Sequence, residues 1–350
     1  MDFSLSEERK MLQETVARFF ENNYKDIKKR SEYLEMNDGF SREFWKESSN
    51  LGVISGLISP SFGGLGGSGE DISIIFELIG KSLCIEPFLS SGLLSSIILS
   101  SIKNPKTELI GQIIDGELLI SFAHMEMNNR YEDHFVETKA FLEDDNWKLN
   151  GSKSFVINGD SADKVIVSAR IDGEINDKNG IGLFLVDNNH ITRRSYNTID
   201  GYKAAELNFD NVNAELLCKD DLALECIIKS NSAGALALSA EAVGIMQVCF
   251  DLTLDYLKTR KQFGKSIGAF QSIQHRMVDM MLEIEQVRSA VMLASSTFET
   301  NSSTRDKNVS AAKNLVGRVG KLIAEESIQL HGGIAMTWEY SVAHYAKRLI

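Results

Sequence analysis

The sequence predicts an α+β protein in three parts. These are an N-terminal helical domain over residues 1–117, a middle antiparallel β-barrel or sandwich over 118–213, and a C-terminal four-helix bundle over 214–350. Two observations carry this prediction. The apolar period changes from helical to strand-like near residue 118 and returns to helical near residue 220. No ten-residue helical pattern separates the strand-like runs, which argues against a doubly wound parallel sheet. A GxGxxG run after a strand is also absent, so a nicotinamide dinucleotide site is not indicated.

The elements follow in order. Ser6 precedes Glu7 and Glu8, which suits a capped helix start, and Met11, Val16, Phe19 and Phe20 fall at helical spacing. A glycine-rich loop, SPSFGGLGGSGED (59–71), interrupts the helical region. Pro87, in CIEPFLSSG, ends a helix and opens a turn. Then come LLISFAHM, HFVETKAFLE, WKLNGSKSFVI, DKVIVSAR, IGLFLVD and AAELNFDNV, short β-rich runs separated by Asn, Asp and Gly. Within them, EDDNWKLNGSKSFV reads as successive strands joined by turns near Asp145 and Gly151. From residue 220 the candidate helices are 222–259, 270–299, 305–330 and 337–349, and their short connections predict an antiparallel bundle.

Composition narrows the function classes. The chain has 350 residues, 43% of them hydrophobic and 25% charged, as in an ordinary soluble protein with a sizeable core. A net charge of −12 argues against nucleic acid as a partner, because phosphate neutralisation needs a broad basic surface. Cys84, Cys218, Cys226 and Cys249 lack CxxC spacing, so they indicate neither a metal site nor a disulfide framework. They read as reduced thiols of a cytoplasmic protein. The N-terminus has no basic segment followed by an apolar core, so it does not read as a signal peptide. The run SNSAGALALSAEAVGIMQVCF (230–250) is long enough to span a membrane. Asn231, Glu241, Gln247 and its serines favour a buried helix instead.

Three stretches carry residues suited to chemistry. TRKQFGKSIGAFQSIQHRM (259–277) gathers Arg260, Lys261, Lys265 and Arg276 around two glycines between two predicted helices. Arg260 suits a bidentate grip on a phosphate at a helix end, and Gln262 and Gln271 add hydrogen-bonding capacity without charge. The plainer reading of this strip is a solvated helix connection. In SIQLHGGIAMTWEY (327–340), Gly332 and Gly333 form a pair where a helix cap needs only one glycine; a pair lets a backbone approach a ligand closely. His331 reads as a packing residue. Glu241 is the lone charge of the 230–250 run. Desolvation would raise its pKa and make it a candidate general base. The alternatives are pairing with a distant Arg or Lys, or a place on a wet helix face.

Taken together, these stretches resemble the acyl-CoA dehydrogenase family over nearly the whole chain. MDFSLSEERKMLQETVARFF is similar to that family's first helix, and ISPSFGGLGG to its P-x-x-(Y/F)-GG-x-G loop. LNGSKSFVINGDSADKVIVSAR (149–170) resembles its flavin-facing strand. RKQFGKSIGAFQSIQHRMVDM and ESIQLHGGIAMTWEY resemble its two C-terminal signatures. The resemblance implies FAD as cofactor and an acyl-CoA thioester as substrate. In the family's reaction the pro-R α-proton passes to a carboxylate while the β-hydride passes to the flavin, giving a trans-2-enoyl-CoA. Hydrogen bonds to the thioester carbonyl stabilise the developing enolate. It further implies that Arg260 holds the pyrophosphate of FAD bound mainly to a neighbouring subunit. Gln262, Phe263 and Gln271 support that half of the cofactor, Gln329, Gly332 and Gly333 line its adenosine end, and Phe122, Phe155 and Ile157 face the flavin ring. An electron-transfer flavoprotein is the implied electron acceptor, and a tetramer the implied assembly.

The departures from the family pattern set further expectations. Where a T-E-P-x-A-G-S-D loop is usual, the chain reads FAHMEMNNRYEDH, without the glycine or the serine. The common W-I-T becomes Phe155, Val156 and Ile157, which removes a hydroxyl near the flavin, and Ala335 replaces a usual glycine. The commonest position of the family's base lies beyond residue 350, and a second position aligns with Gly234. Glu241 lies two turns further along the same helical face, about 10 Å away. The motifs that grip a neighbour's FAD are intact, while those around the chain's own flavin ring are altered. This asymmetry resembles heteromeric α2β2 members tied to degradation of steroid side chains or dicarboxylic acyl-CoAs. The rival expectations are a non-catalytic partner completing an active subunit's FAD site, or an oxidase or monooxygenase on the same fold.

Overall fold

The computed structural model describes residues 6–24, 26–129 and 131–350. Residues 1–5 of the first-helix motif and Arg130 of the divergent loop lie outside the described residues. Helices precede a central sheet and helices follow it, so the mixed α+β architecture is as the sequence predicts. The chain gathers into two compact units: residues through Glu32 with Ser68–Cys84 and Ala235–Ile350, and Tyr33–Gly67 with Ile85–Gly234.

The first unit is helical. Helix α1 (Glu7–Asn23) starts at Ser6, whose hydroxyl accepts from the Arg9 amide at 3.3 Å. It buries Val16 and Phe20 and leaves Met11 exposed. After α2 (Ile27–Leu34) and α3 (Arg42–Asn50), which belongs to the second unit, comes α4 (Gly69–Ser82). A capping box between Ser68 and Asp71 starts α4, and Arg9 donates to Asp71, Glu70 and Ser68, tying α1 to that helix end. The C-terminal helices are α7 (Asp221–Thr259), α8 (Gln271–Ser296), α9 (Ser302–His331) and α10 (Ser341–Leu349), close to the predicted boundaries. Helix α8 contacts α4 and α9, and α9 contacts α10. Helix α7 is long and apolar enough to cross a membrane, yet 72% of its apolar window is buried inside the protein, as suits a core helix.

Helices α4 and α7 meet backbone to backbone. A Cβ on Gly80 would lie 2.0 Å from the Glu241 carbonyl oxygen, and one on Gly244 would lie 2.1 Å from that of Glu77. Neither obstacle is a flexible side chain, so the helices must separate to admit a methyl group. Gly244→Ala is therefore expected to cost about 2–3 kcal/mol in urea denaturation, where an exposed helical Gly→Ala change would stabilise.

In the second unit, short helices and turns lead to the sheet. A π-helical turn (Phe88–Ser95) follows Pro87, then α5 (Ser96–Ser101) and α6 (Thr107–Ile114). The strands are β1 (Ile120–Ala123), β2 (Lys139–Glu143), β3 (Asn146–Ile157), β4 (Lys164–Arg170), β5 (Ile181–Asp187), β6 (Thr192–Asn197) and β7 (Lys203–Lys219). Pairing runs β1–β4–β2–β3–β7–β5, with β6 on β7 and a further β4–β5 pairing. Most pairs are antiparallel, but β1–β4 and β2–β4 are parallel, which corrects the expectation of a purely antiparallel sheet. The predicted turn at Asp145 is present, with Asp144 and Asp145 in the left-handed region. The second predicted turn, at Gly151, is instead a register shift within one continuous strand β3. There a Cβ on residue 151 would press on Thr138, which explains the glycine without a turn. Strand β6 was not predicted. Its sequence, TRRSYN, is exposed at most positions, and among the described residues it pairs with β7 alone.

Candidate active site

The residues singled out in the sequence fall into two groups, one in each unit. In the first unit, α7 ends at Thr259 and Arg260 follows, exposed, with its amide bonded to the Tyr256 carbonyl at 2.8 Å. Among the described residues, no side chain or carbonyl pairs with its guanidinium. A small hairpin then forms from β8 (Lys261–Gln262) and β9 (Lys265–Ser266), with Gln262 exposed. Its turn places Phe263 at φ +53° with the ring 90% exposed. Phe270 meets that ring edge-on at 6.2 Å, and Lys265 sits 4.1 Å over the Phe270 ring. Gln271, exposed, opens α8. Arg276 is committed to Glu326 on α9 at 2.7 Å, so it is a structural cation.

The glycine pair lies beside this strip. Gln329, Gly332 and Gly333 are exposed, and a Cβ on either glycine would meet nothing within 4 Å. His331 is buried, donates from Nδ1 to the Ser327 carbonyl at 2.8 Å and stacks on Tyr256 with ring centroids 4.6 Å apart. Tyr340 closes the cluster against His331 at 5.2 Å. Tyr256 is one turn before Arg260 and His331 is one residue before Gly332, so this aromatic stack joins the arginine strip to the glycine pair. Burial holds the His331 pKa below the ordinary histidine value, keeping the stacked imidazole neutral.

In the second unit, Phe122 on β1 and Phe155 and Ile157 on β3 are partly exposed. The Ser121 hydroxyl donates to the Ile157 carbonyl at 3.0 Å, joining the two strands beside these side chains. Phe155 occupies the left-handed region at φ +51°, within a register shift between Lys153 and Val156. Phe122 stacks on His124 with centroids 5.8 Å apart.

Behind this face is a polar network that sequence patterns alone do not reveal. Lys153 is fully buried and donates to Glu126 at 2.5 Å, Ser168 Oγ at 2.9 Å and the His124 carbonyl at 3.2 Å. Glu126 also accepts from the Glu137 amide and from the Thr138 amide and hydroxyl. Burial pushes the Glu126 pKa up, but the Lys153 charge and these donors outweigh it and hold the carboxylate below its usual range. Burial draws Lys153 down to about 8 and His124 down to about 3. Ser168 Oγ accepts from Lys153 and shares a hydrogen bond with His124 Nδ1 at 2.9 Å, while His124 Nε2 is buried without a hydrogen-bond partner among the described residues. The only signal in the sequence was a lysine at an inward register position of a strand.

Glu241 is 3% exposed on α7, and a cation does pair with it. Arg348 on α10 donates from Nε to one carboxylate oxygen at 2.6 Å and from Nη2 to the other at 3.0 Å. This bidentate pairing is the alternative of a distant arginine partner that the sequence left open beside the general-base reading. Gly234, at the second position where a base is expected, is closed over by Leu94, whose Cδ2 would lie 3.0 Å from a Cβ there.

With this geometry in place, comparison with known proteins is decisive. Family models match in order along the chain: "Acyl-CoA dehydrogenase, N-terminal domain" at residues 6–117, "middle domain" at 121–212 and "C-terminal domain" at 225–349. The chain belongs to the acyl-CoA dehydrogenase family. Members of this family are FAD-dependent oxidoreductases that dehydrogenate acyl-CoA thioesters. The long-chain specific acyl-CoA dehydrogenase of Sus scrofa mitochondria is 30% identical, over 97% of this chain and 80% of that protein. Among solved structures, the ChsE4–ChsE5 complex from Mycobacterium tuberculosis superposes with a TM-score of 0.88 at 21% identity, covering 100% of this chain and 93% of that one. A solved structure from work on the electron transferring flavoprotein of Acidaminococcus fermentans gives 0.88 at 23% identity, covering 100% and 94%. At such identities the structural likeness speaks for the fold alone.

As an acyl-CoA dehydrogenase, the chain carries residues that fit FAD in both units. An exposed guanidinium without a protein partner suits a pyrophosphate, and two adjacent glycines with open space suit a closely approaching nucleotide. Two partly exposed aromatic rings, on strands linked by the Ser121–Ile157 hydrogen bond, suit a planar ring system. What the second unit does not offer is a side-chain hydroxyl at residue 157.

Proposed function

We propose that this chain is a subunit that oxidises an acyl-CoA thioester to the trans-2-enoyl-CoA and shares its FAD sites with a second, related subunit. The carrying observation is the contrast between the two groups of residues. Arg260 is exposed and has no side-chain partner among the described residues, beside an open glycine pair, whereas the flavin-facing strand presents Ile157 and an altered loop. The similar ChsE4–ChsE5 structure, a complex of two chains, supports a heteromeric arrangement.

In this reading Arg260 grips the pyrophosphate through charge-assisted bonds, with Gln262, Phe263 and Gln271 around it, and Gln329, Gly332 and Gly333 admit the adenosine end. Phe122, Phe155 and Ile157 flank the ring and exclude water from it. Bound FAD supplies the hydride acceptor. An electron-transfer flavoprotein then takes the electrons, and the assembly is an α2β2 heterotetramer or a homotetramer. The boundary at 117/118 is supported by the change from helices to strands, whereas 213/214 falls within β7, and the change back to helices comes between Lys219 and Asp221. The return of strand pairing from β2 to β4 supports a barrel, and the α8–α9–α10 contacts support a four-helix bundle. Four free cysteines support a cytoplasmic location.

A second reading, a non-catalytic partner completing an active subunit's FAD site, is favoured by one observation. Glu241 is occupied by Arg348 and Gly234 is covered by Leu94, so neither position offers a free carboxylate. Anaerobic mixing of the FAD-loaded protein, alone and with its co-expressed partner, with saturated acyl-CoA thioesters tests the dehydrogenation. Bleaching of the flavin with formation of enoyl-CoA supports dehydrogenation; a flavin that no saturated acyl-CoA bleaches contradicts it. Arg260→Ala is expected to weaken FAD retention about 10- to 100-fold, the worth of a charge-assisted hydrogen-bonding group, with the melting temperature of the FAD-free protein unchanged. Flavin content after gel filtration checks this.

A further inference from the structure

Phe155 combines a bulky side chain with a left-handed backbone at φ +51° inside a strand. Such a conformation costs on the order of 1–3 kcal/mol and persists only where the surroundings impose it. The register shows how the space is made. Lys153 pairs with Leu207 and Val156 with Ala205, so Ser154 and Phe155 together oppose Glu206 alone, as in a β-bulge.

The surroundings grip both sides of this bulge. Before it, the three hydrogens of the Lys153 ammonium go to the His124 carbonyl, the Glu126 carboxylate and Ser168. The Ser154 amide donates to the Met125 carbonyl at 2.8 Å. After it, the Ile157 carbonyl accepts from Ser121 and the Asn158 amide donates to the Lys203 carbonyl at 3.1 Å. The segment 124–126, which departs from the family's usual loop, is thus fastened to β3 residue by residue.

We propose that Lys153, acting through Glu126 and the 124–126 segment, is a positioning residue that holds the Phe155 bulge in the conformation that receives the flavin ring. The Lys153 side chain is wholly buried and all three ammonium hydrogens go to protein acceptors, so its role is positional. The inference rests on the reading of Phe155 as flavin-facing. A buried ion pair adds little to stability compared with a neutral replacement, so its charge chiefly specifies geometry.

The test uses the full chain with Lys153→Met, and with Lys153→Met combined with Glu126→Gln. The single variant leaves a buried carboxylate without its cation and is expected to be destabilised. The double variant restores neutrality, and its melting temperature is expected to recover most of the loss. Hydrogen exchange at amides 154–157 is nevertheless expected to remain at least about tenfold faster than in the wild type, with β4 and β5 unchanged. FAD titration is expected to give a dissociation constant at least about tenfold higher in the double variant. Exchange at those amides within about twofold of wild type in the double variant would overturn the proposal, as would FAD affinity that recovers together with the melting temperature. If exchange rises as expected but the wild-type chain binds no FAD, alone or with its partner, the flavin reading of Phe155 fails while the clamp on the bulge stands.

Discussion

Glu241→Gln is expected to destabilise the protein while leaving turnover per bound flavin unchanged. Both carboxylate oxygens are held by Arg348, and Glu241 is almost wholly out of water. Removing one member of a buried pair leaves the other uncompensated, at a cost of roughly 3–5 kcal/mol. The Arg348 side chain retains 18% exposure, so water relieves part of its cost and the loss falls toward the low end of that range. Arg348→Met strands the more deeply buried partner and is expected to cost more. The double variant is expected to recover most of the loss, because a neutral pair needs no compensation. Urea denaturation of the three variants measures this. Loss of turnover in a folded, flavin-loaded Glu241→Gln protein would instead make Glu241 the base and the Arg348 pair a state that opens during catalysis.

His124 gives the second large effect, in acid. The folded chain holds this imidazole neutral with its pKa near 3, against 6.5 for an unperturbed side chain. Burial is the chief cause, and the neighbouring Lys153 charge adds to it. Between these values the unfolded chain binds a proton that the folded chain does not. Stability from His124 is therefore complete above pH 6.5 and is lost as the pH falls toward 3, by up to about 1.4 kcal/mol per unit. His124→Asn keeps a side chain that can either donate to or accept from the Ser168 hydroxyl, and it cannot titrate. Urea midpoints at about pH 6.5 and 4.5 should diverge, the wild type losing at least about 2 kcal/mol more than the variant. His331 and His344, whose pKa values burial also lowers, are present in both proteins and cancel in the comparison. Parallel pH profiles would contradict a neutral, buried His124.

What the sequence made legible depends on range. The C-terminal helices were readable because apolar period, capping and glycine punctuation are local, and their ends fall within a few residues of those predicted. Strand β6 was not, because an exposed edge strand such as TRRSYN carries no apolar alternation. Gly151 was read as a turn when it serves a close approach to Thr138, and both uses favour glycine. The Glu241–Arg348 pair joins residues 107 positions apart, and no sequence pattern announces such a partner. Lys153 was hidden for a different reason. A lysine among strand residues normally marks the wet face, and only the fold places Glu126, Ser168 and His124 around it.

The residues proposed for FAD divide similarly. Arg260 and the glycine pair stood out by residue type in an acidic chain, and their exposure agrees with a ligand role. The stack of Tyr256, His331 and Tyr340 that joins them draws on three separate stretches of sequence, and His331 taken alone read only as packing.

The most direct test of a FAD site shared between related subunits is the visible absorbance spectrum of the purified chain, alone and co-expressed with its partner. Flavin bands that appear only in the mixture, at a stoichiometry below one FAD per chain, are the predicted result. A stable tetramer of this chain alone, with one FAD per chain and full dehydrogenase activity, would contradict a shared site.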